Sequence, residues 1–298
     1  MDLWECRQSL GHLGGLFPTD VVEVETLRAA RQRLTRRWST TVPDEENRRG
    51  RGVLGFRGAC HRSRKYWLCV YSVQVGARKM DSLARLAVDV HECVACPRLV
   101  EWRERVAVEK RAAFRDDDYW GRGVSGFGDP AARLLVLGLA PGAHGANRTG
   151  RVFTGDRSGD WLYRAMHRAG FANQAASTHR SDGLELRGAW VTAAVKCAPP
   201  GNAPMPAERD ACRPFLDREI ALLGELRVAV CLGNFAYQVA TDYFGVKPRP
   251  KFGHAVEVPA GGLTLLCSFH PSQQNTFTGK LTEPMIDAVF ARAKAICR

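Results

Sequence analysis

Ten cysteines stand among the 298 residues. Cys93 and Cys96 are separated by two residues in "HECVACPRL", a spacing that turns two thiolates toward one metal. Cys197 in "VKCAPP" and Cys212 in "RDACRPFL" complete a set of four if the N-terminal helix folds back over the edge of a sheet. Four thiolates suit either a tetrahedral zinc or an iron–sulfur cluster. Cys231 and Cys267 fall inside apolar runs, where cysteine behaves as a small hydrophobe. Cys6, Cys60, Cys69 and Cys297 belong to no readable arrangement. A second chemistry-bearing stretch is "GLAPGAHGANRTGRVFTGD", residues 138–156. It follows the apolar run "RLLVLGLA" as a loop follows a buried strand, yet its first turn, Gly138 to Gly142, holds no acid, hydroxyl or thiol. Its carboxylate comes only at the end, as Asp156. A third is "HPSQQN", which puts His270 directly after another apolar run.

Positioning these residues takes a regular scaffold, and from Met80 onward the pattern is α/β. Four short apolar runs, "RLLVLGLA" (133–140), "AWVTAAVKC" (189–197), "RVAVCLGN" (227–234) and "LTLLCSFHPS" (263–272), read as strands buried on both faces of a parallel sheet. Between them lie helix-compatible stretches: "GDWLYRAMHRAGF", "AERDACRPFLDREIALLGEL" and "FAYQVATDYFG". The alternation argues for a three-layer α/β/α sandwich. Ligands of such sheets bind at the carboxyl ends of the strands, where this chain places "GLAPGAHG", "CAPPGN", "LGN" and "FHPSQQN".

Residues 1–79 read differently. They carry 15 Lys and Arg against 8 Asp and Glu, with a basic helix expected over 28–38, a loop over 41–52 and a strand over 65–75. They bear no chemical motif. The expectation is a poorly ordered basic extension, or a stretch upstream of a true start at Met80. The domain of interest is then 80–298. A net charge of +12 points to a polyanionic partner, most simply nucleic acid. No run reaches the roughly 18 apolar residues of a membrane span. No secretory leader is visible, so a reducing, cytoplasmic compartment is expected, where cysteines more often bind metal than pair.

In combination, "CVAC", "GLAPGAHGANRTGRVFTGD", "KCAPPGN…C" and "HPSQQNTFTG" resemble the uracil-DNA glycosylase superfamily, in particular its family 5, the iron–sulfur enzymes of type b. The resemblance covers about residues 80–298. It implies a central four-stranded parallel sheet between helices and a structural [4Fe-4S] cluster on Cys93, Cys96, Cys197 and Cys212. The implied function is base-excision repair: hydrolysis of the N-glycosidic bond of uracil in single- or double-stranded DNA, and of hypoxanthine, xanthine or ethenocytosine. A bacterial, monomeric enzyme is expected.

The reaction makes an oxocarbenium-like sugar and an anionic base, so it needs hydrogen-bond donors for the base and a held water on the opposite face. The resemblance assigns His270 as donor to the departing base and Phe153 as the ring that stacks on it. Asn202 reads the base edge, and backbone N–H groups near Ala140 and Gly142 cradle a carbonyl. Ala140 stands where most of the superfamily has Asp, Asn or Glu, which moves the water-holding role to Asp156. A helix N-cap is the competing role for Asp156, and Asp160 competes for that cap. Ser272, Gln273, Gln274 and Asn275 are expected at the DNA, with Arg148, Arg151, Arg157 and Lys280 on phosphates. His144 and Asn147 are expected to pack the loop. The alternative function is a non-catalytic iron–sulfur DNA-binding protein.

Overall fold

The computed structural model describes residues 56–62, 67–73 and 81–298. The chain divides into two units, Met1–Ala77 and Arg78–Arg298. In the first, β1 (Phe56–Arg62) pairs antiparallel with β2 (Trp67–Val73), in register from Phe56 opposite Val73 to Arg62 opposite Trp67. The strand expected over 65–75 is present. Its partner, "FRGACHR", has no apolar run to announce it. The basic helix expected over 28–38 and the loop over 41–52 lie outside the described residues.

The second unit opens with two helices that carry the first cysteine pair between them. Ser82 starts α1 (Leu83–His91) by accepting from the Arg85 amide at 3.1 Å. Pro97, pre-set for a first helical turn, opens α2 (Pro97–Glu109). The elements β3 (Phe127–Gly128), β4 (Leu134–Gly138), α3 (Ala146–Thr149), α4 (Arg157–Arg168), β5 (Ala189–Ala193), α5 (Pro206–Leu222), β6 (Val228–Leu232), α6 (Asn234–Tyr243), β7 (Glu257–Ala260), β8 (Leu263–Ser268), α7 (Gln273–Phe277) and α8 (Glu283–Ile296) follow.

The sheet has six strands rather than the expected four, in the order β3-β5-β4-β6-β8-β7. The β4–β5, β4–β6 and β6–β8 pairs are parallel, while β3 and β7 run antiparallel on the two edges. The edges were not legible because β3 is only two residues long and β7 alternates exposed and buried side chains. Every residue of β4, β5 and β6 is buried, as strands covered on both faces require. Successive side chains point to opposite faces. Leu134 and Val136 pack with α4 and α8, whereas Leu135 and Leu137 pack with α5 and α6. Helices therefore cover both faces.

From β4 the chain steps to β5 on one side, then crosses back to β6 on the other. Such a reversal opens a crevice at the carboxyl ends of the strands. Beside it, Lys196 and Glu219 form a buried ion pair at 2.6 Å, and Trp190 and Thr192 also donate to Glu219. This fully bonded group fixes the end of β5 against α5, one residue before Cys197. Among the described residues, no helix is long and apolar enough to cross a membrane.

Candidate active site

The crevice at the end of β4 is walled by a loop with little freedom. The Asn147 amide donates to Gly142 O at 3.0 Å, and its side chain donates to Arg103 O at 3.1 Å, which binds the turn to α2. Thr149 donates to the carbonyls of Gly145 and Thr154. The ring of Phe153 lies on the strand end, where a Cβ added to Gly138 would come within 2.6 Å of it. Glycine at 138 is what lets the aromatic lie there. Phe153 holds a left-handed backbone at φ 52°, and Asn202, across the pocket, holds one at φ 56°. Left-handed backbone is uncommon outside glycine and collects at functional sites.

Leu139, Ala140, Gly142, Phe153, Asp156, Asn202, His270, Ser272, Gln273 and Gln274 share one cavity of about 460 Å³. The residues expected at a site thus come together from the loops after β4, β5 and β8. Asn202 sits exposed on a single 3-10 turn, Pro200–Asn202.

Asp156 takes the cap role and keeps its second oxygen out of it. Its Oδ1 accepts from the Gly159 amide at 3.0 Å and caps α4. Its Oδ2 faces the turn instead: a Cβ on Gly145 would lie 2.1 Å from it, and one on Gly142 3.1 Å away. One oxygen caps the helix and the other faces the turn beside the cavity. Burial pushes the Asp156 carboxyl above its usual range, and the negative charge of Asp160 adds to this. Asp160 itself is exposed on the first turn of α4 and is not the cap.

His270 leans against Phe153, ring centroids 5.9 Å apart at 36°. Burial pulls its imidazole down to about 4. The ring is therefore neutral near physiological pH and offers one N–H. Asn275, half-buried, donates from its side-chain amide to His270 O at 2.8 Å. Ser272 caps α7 by accepting from the Asn275 backbone amide, so the two bonds tie the start of this helix to His270. Asn275→Ala is expected to slow turnover about tenfold with little change in substrate affinity, since the His270 backbone it anchors, and the ring with it, shifts by a fraction of an ångström. Single-turnover rates measured beside equilibrium binding will show it. Equal loss in both would mean that Asn275 holds substrate directly.

Gln273 and Gln274 stand exposed at the cavity mouth. Arg157, also exposed, lies over the Phe277 ring at 4.3 Å, and Phe277 itself is 68% exposed. The phosphate-binding role expected for Arg148 and Arg151 is corrected. Arg148 pairs with Asp117 at 2.6 Å and donates to Gly155 O and His144 O. Arg151 is buried and bonds Asp182, Ser177 and Thr154. Their guanidiniums are consumed in holding the loop. His144 and Asn147 pack it as expected, His144 sharing a 3.0 Å hydrogen bond with Tyr119.

The four thiols line a second, small cavity. Cys93 follows α1, Cys96 precedes α2, Cys197 follows β5 and Cys212 lies on α5, and Leu99, Val195 and Phe215 line the cavity with them. Among the described residues, no three His, Cys, Asp or Glu side chains converge as the ligands of a single metal ion would. As bare thiols, Cys197 and Cys212 are pushed up by burial, Cys212 to about 12. Yet the group beside them is a cation. Arg103, 2% exposed, donates from Nη1 to Cys197 Sγ at 2.9 Å. A buried guanidinium next to neutral thiols lacks a counter-charge, whereas thiolates on a cluster supply one. The donor set therefore fits an anionic cluster. Sequence reading missed Arg103, although an arginine between Leu99 and Val106 on the buried stripe of α2 was a visible signal.

Residues 125–294 match the model of the uracil DNA glycosylase superfamily. A type-5 uracil-DNA glycosylase of Mycobacterium bovis is 54% identical over 219 residues, 72% of this chain and 82% of that protein. One of Thermus thermophilus is 50% identical over 206 residues, 68% of this chain and 93% of that one. One of Pyrobaculum aerophilum is 41% identical over 203 residues, 68% and 88% of the two chains. Both the match and these relatives place this chain in the uracil-DNA glycosylase superfamily, among its type-5 members.

Proposed function

We propose that the chain is a uracil-DNA glycosylase that hydrolyses the N-glycosidic bond of uracil in DNA and leaves an abasic site. The observation that carries this is the single cavity in which Asp156, Phe153, Asn202 and His270 meet. Taking a base out of the stack costs a few kcal/mol, least for mismatched bases. In the cavity the base stacks on Phe153 and meets the Asn202 amide at its edge. His270 donates its neutral N–H to the carbonyl that gains charge as the bond breaks, and amides of the 139–143 turn add to this. Asp156 Oδ2, free of the cap, holds the water for the sugar. Gln273 and Gln274 border the gap left in the duplex, and Ser272, Arg157 and Lys280 meet the backbone.

The proposal extends to larger deaminated or modified bases. Ala140 puts only a methyl group into the cavity, so the turn spends no volume on an acid. It extends also to a [4Fe-4S] cluster on Cys93, Cys96, Cys197 and Cys212, supported by the buried Arg103 cation. Bound there, the cluster is a structural cross-link that supplies no group to bond cleavage. Arg98 reinforces the same junction by a two-pronged pair with Glu208, tying α2 to α5 at 2.7 Å. Cys197 then holds the start of the loop that ends in Asn202.

The test is a panel of duplexes and single strands carrying uracil, hypoxanthine, xanthine or ethenocytosine, scored for alkali-labile sites. Strand scission at uracil is expected in both duplex and single strand. Tight binding without scission would leave the non-catalytic iron–sulfur reading. Scission at uracil alone would remove the broader substrate range.

A further inference from the structure

Arg103 is a buried cation whose charge its own fold leaves without a carboxylate among the described residues. Its side chain is 2% exposed, and its Nη2 reaches Cys93 O at 3.1 Å while Nη1 reaches Cys197 Sγ at 2.9 Å. Its Nε is buried without a partner, and among the described residues no carboxylate lies in ion-pair contact with it. Two acids of α5, the helix that carries Cys212, are committed elsewhere, Glu208 to Arg98 and Glu219 to Lys196. A guanidinium taken out of water without an opposite charge costs several kcal/mol, and chains keep one there when an anion meets it.

We propose that Arg103 is the positioning residue of the cysteine-held cluster: it balances the cluster's negative charge from within the fold and orients the Cys197 thiolate by direct donation. This rests on the cluster assignment made above. The residue comes from α2, whose first turn follows Cys96, so one helix contributes a ligand and the cation that faces the set. It touches the ligands of both halves, the Cys93 carbonyl and the Cys197 sulfur. A planar fork reaches both at once, and lysine has no such geometry. Hydrogen bonds to cluster sulfurs set its potential and its hold on iron.

The experiment compares the full-length wild type with Arg103→Met and Arg103→Lys, all purified without oxygen. It reads iron and sulfide per chain, the visible absorption, the rate of iron loss to a chelator and the midpoint potential. Arg103→Met is expected to lose iron about tenfold faster and to have a lower potential, because charge and donation are both gone. Arg103→Lys, which keeps the charge, is expected to fall between the two in both readouts. This variant also keeps the proposal testable if Arg103→Met does not fold. Wild-type rates and potential in both variants would overturn the role of Arg103 while leaving the cluster in place. A wild type without iron and sulfide would overturn the cluster, and this role with it.

Discussion

The His270→Ala enzyme is expected to lose about a hundredfold to a thousandfold in kcat on uracil-containing duplex. The KM should move far less, because the donated hydrogen bond strengthens only as charge reaches the departing base. The ring is neutral by virtue of its burial, with its pKa drawn down to about 4 from the ordinary 6.5. Donation therefore continues across the whole physiological range, and no inflection near pH 6.5 belongs to this residue. The sign for stability follows. Between about 6.5 and 4 the unfolded chain takes up the proton first. The wild type is then expected to lose stability as pH falls through that window, more than His270→Ala does. Single-turnover rates and melting curves from about pH 4 to 8 check both halves. A variant within a few-fold of wild type, or an inflection near 6.5 that disappears with the ring, would sink the assignment.

Asp156→Asn should separate what one carboxylate does with its two oxygens. Asparagine caps helices about as well as aspartate, so the bond to Gly159 survives while the acid that holds water is removed. A loss of about a hundredfold in rate is expected. Burial raises the Asp156 pKa, so the folded state favours the protonated form, and stability drawn from it is lost as pH rises through the folded value. Ionising this buried carboxyl costs the fold its desolvation, a cost an amide does not carry, and Asp156→Asn is expected to melt at or above the wild type. Asp156→Ala loses rate and also about 1 kcal/mol of cap. Asp160→Ala should stay within a few-fold of wild type. An inactive Asp160→Ala beside an active Asp156→Asn would reverse the assignment. The acid limb of kcat/KM should lie above the ordinary carboxylate range and vanish in Asp156→Asn.

The parts of this molecule readable in advance were those where a run of one chemistry covers a whole element. The strands β4, β5, β6 and β8 were legible because strands covered on both faces read as nearly continuous apolar runs. The edges were not, since β7 shows only every second side chain to the core. At the site, Asp156, Phe153 and His270 could be found from motif order, and the cavity assembles them. The bond from Asn275 to the His270 carbonyl could not be found, because an amide in a short helix reads the same whether it meets water or a carbonyl. Arg148 and Arg151 looked like surface cations for the same reason. Only the fold reveals that Asp117 and Asp182 meet them, residues about 31 positions distant in the chain.

Phe153 and Asn202 face the cavity from backbones held at φ 52° and 56°. That angle restricts the alphabet available to anyone who would recut the cavity for a different base. Valine, isoleucine and threonine crowd their own backbone in that region, whereas asparagine, aspartate and glycine tolerate it. A library built on those two sites should therefore be written without branched residues. Ala140 has no such restriction, and volume added there enlarges the choice of shapes without touching the chain's geometry.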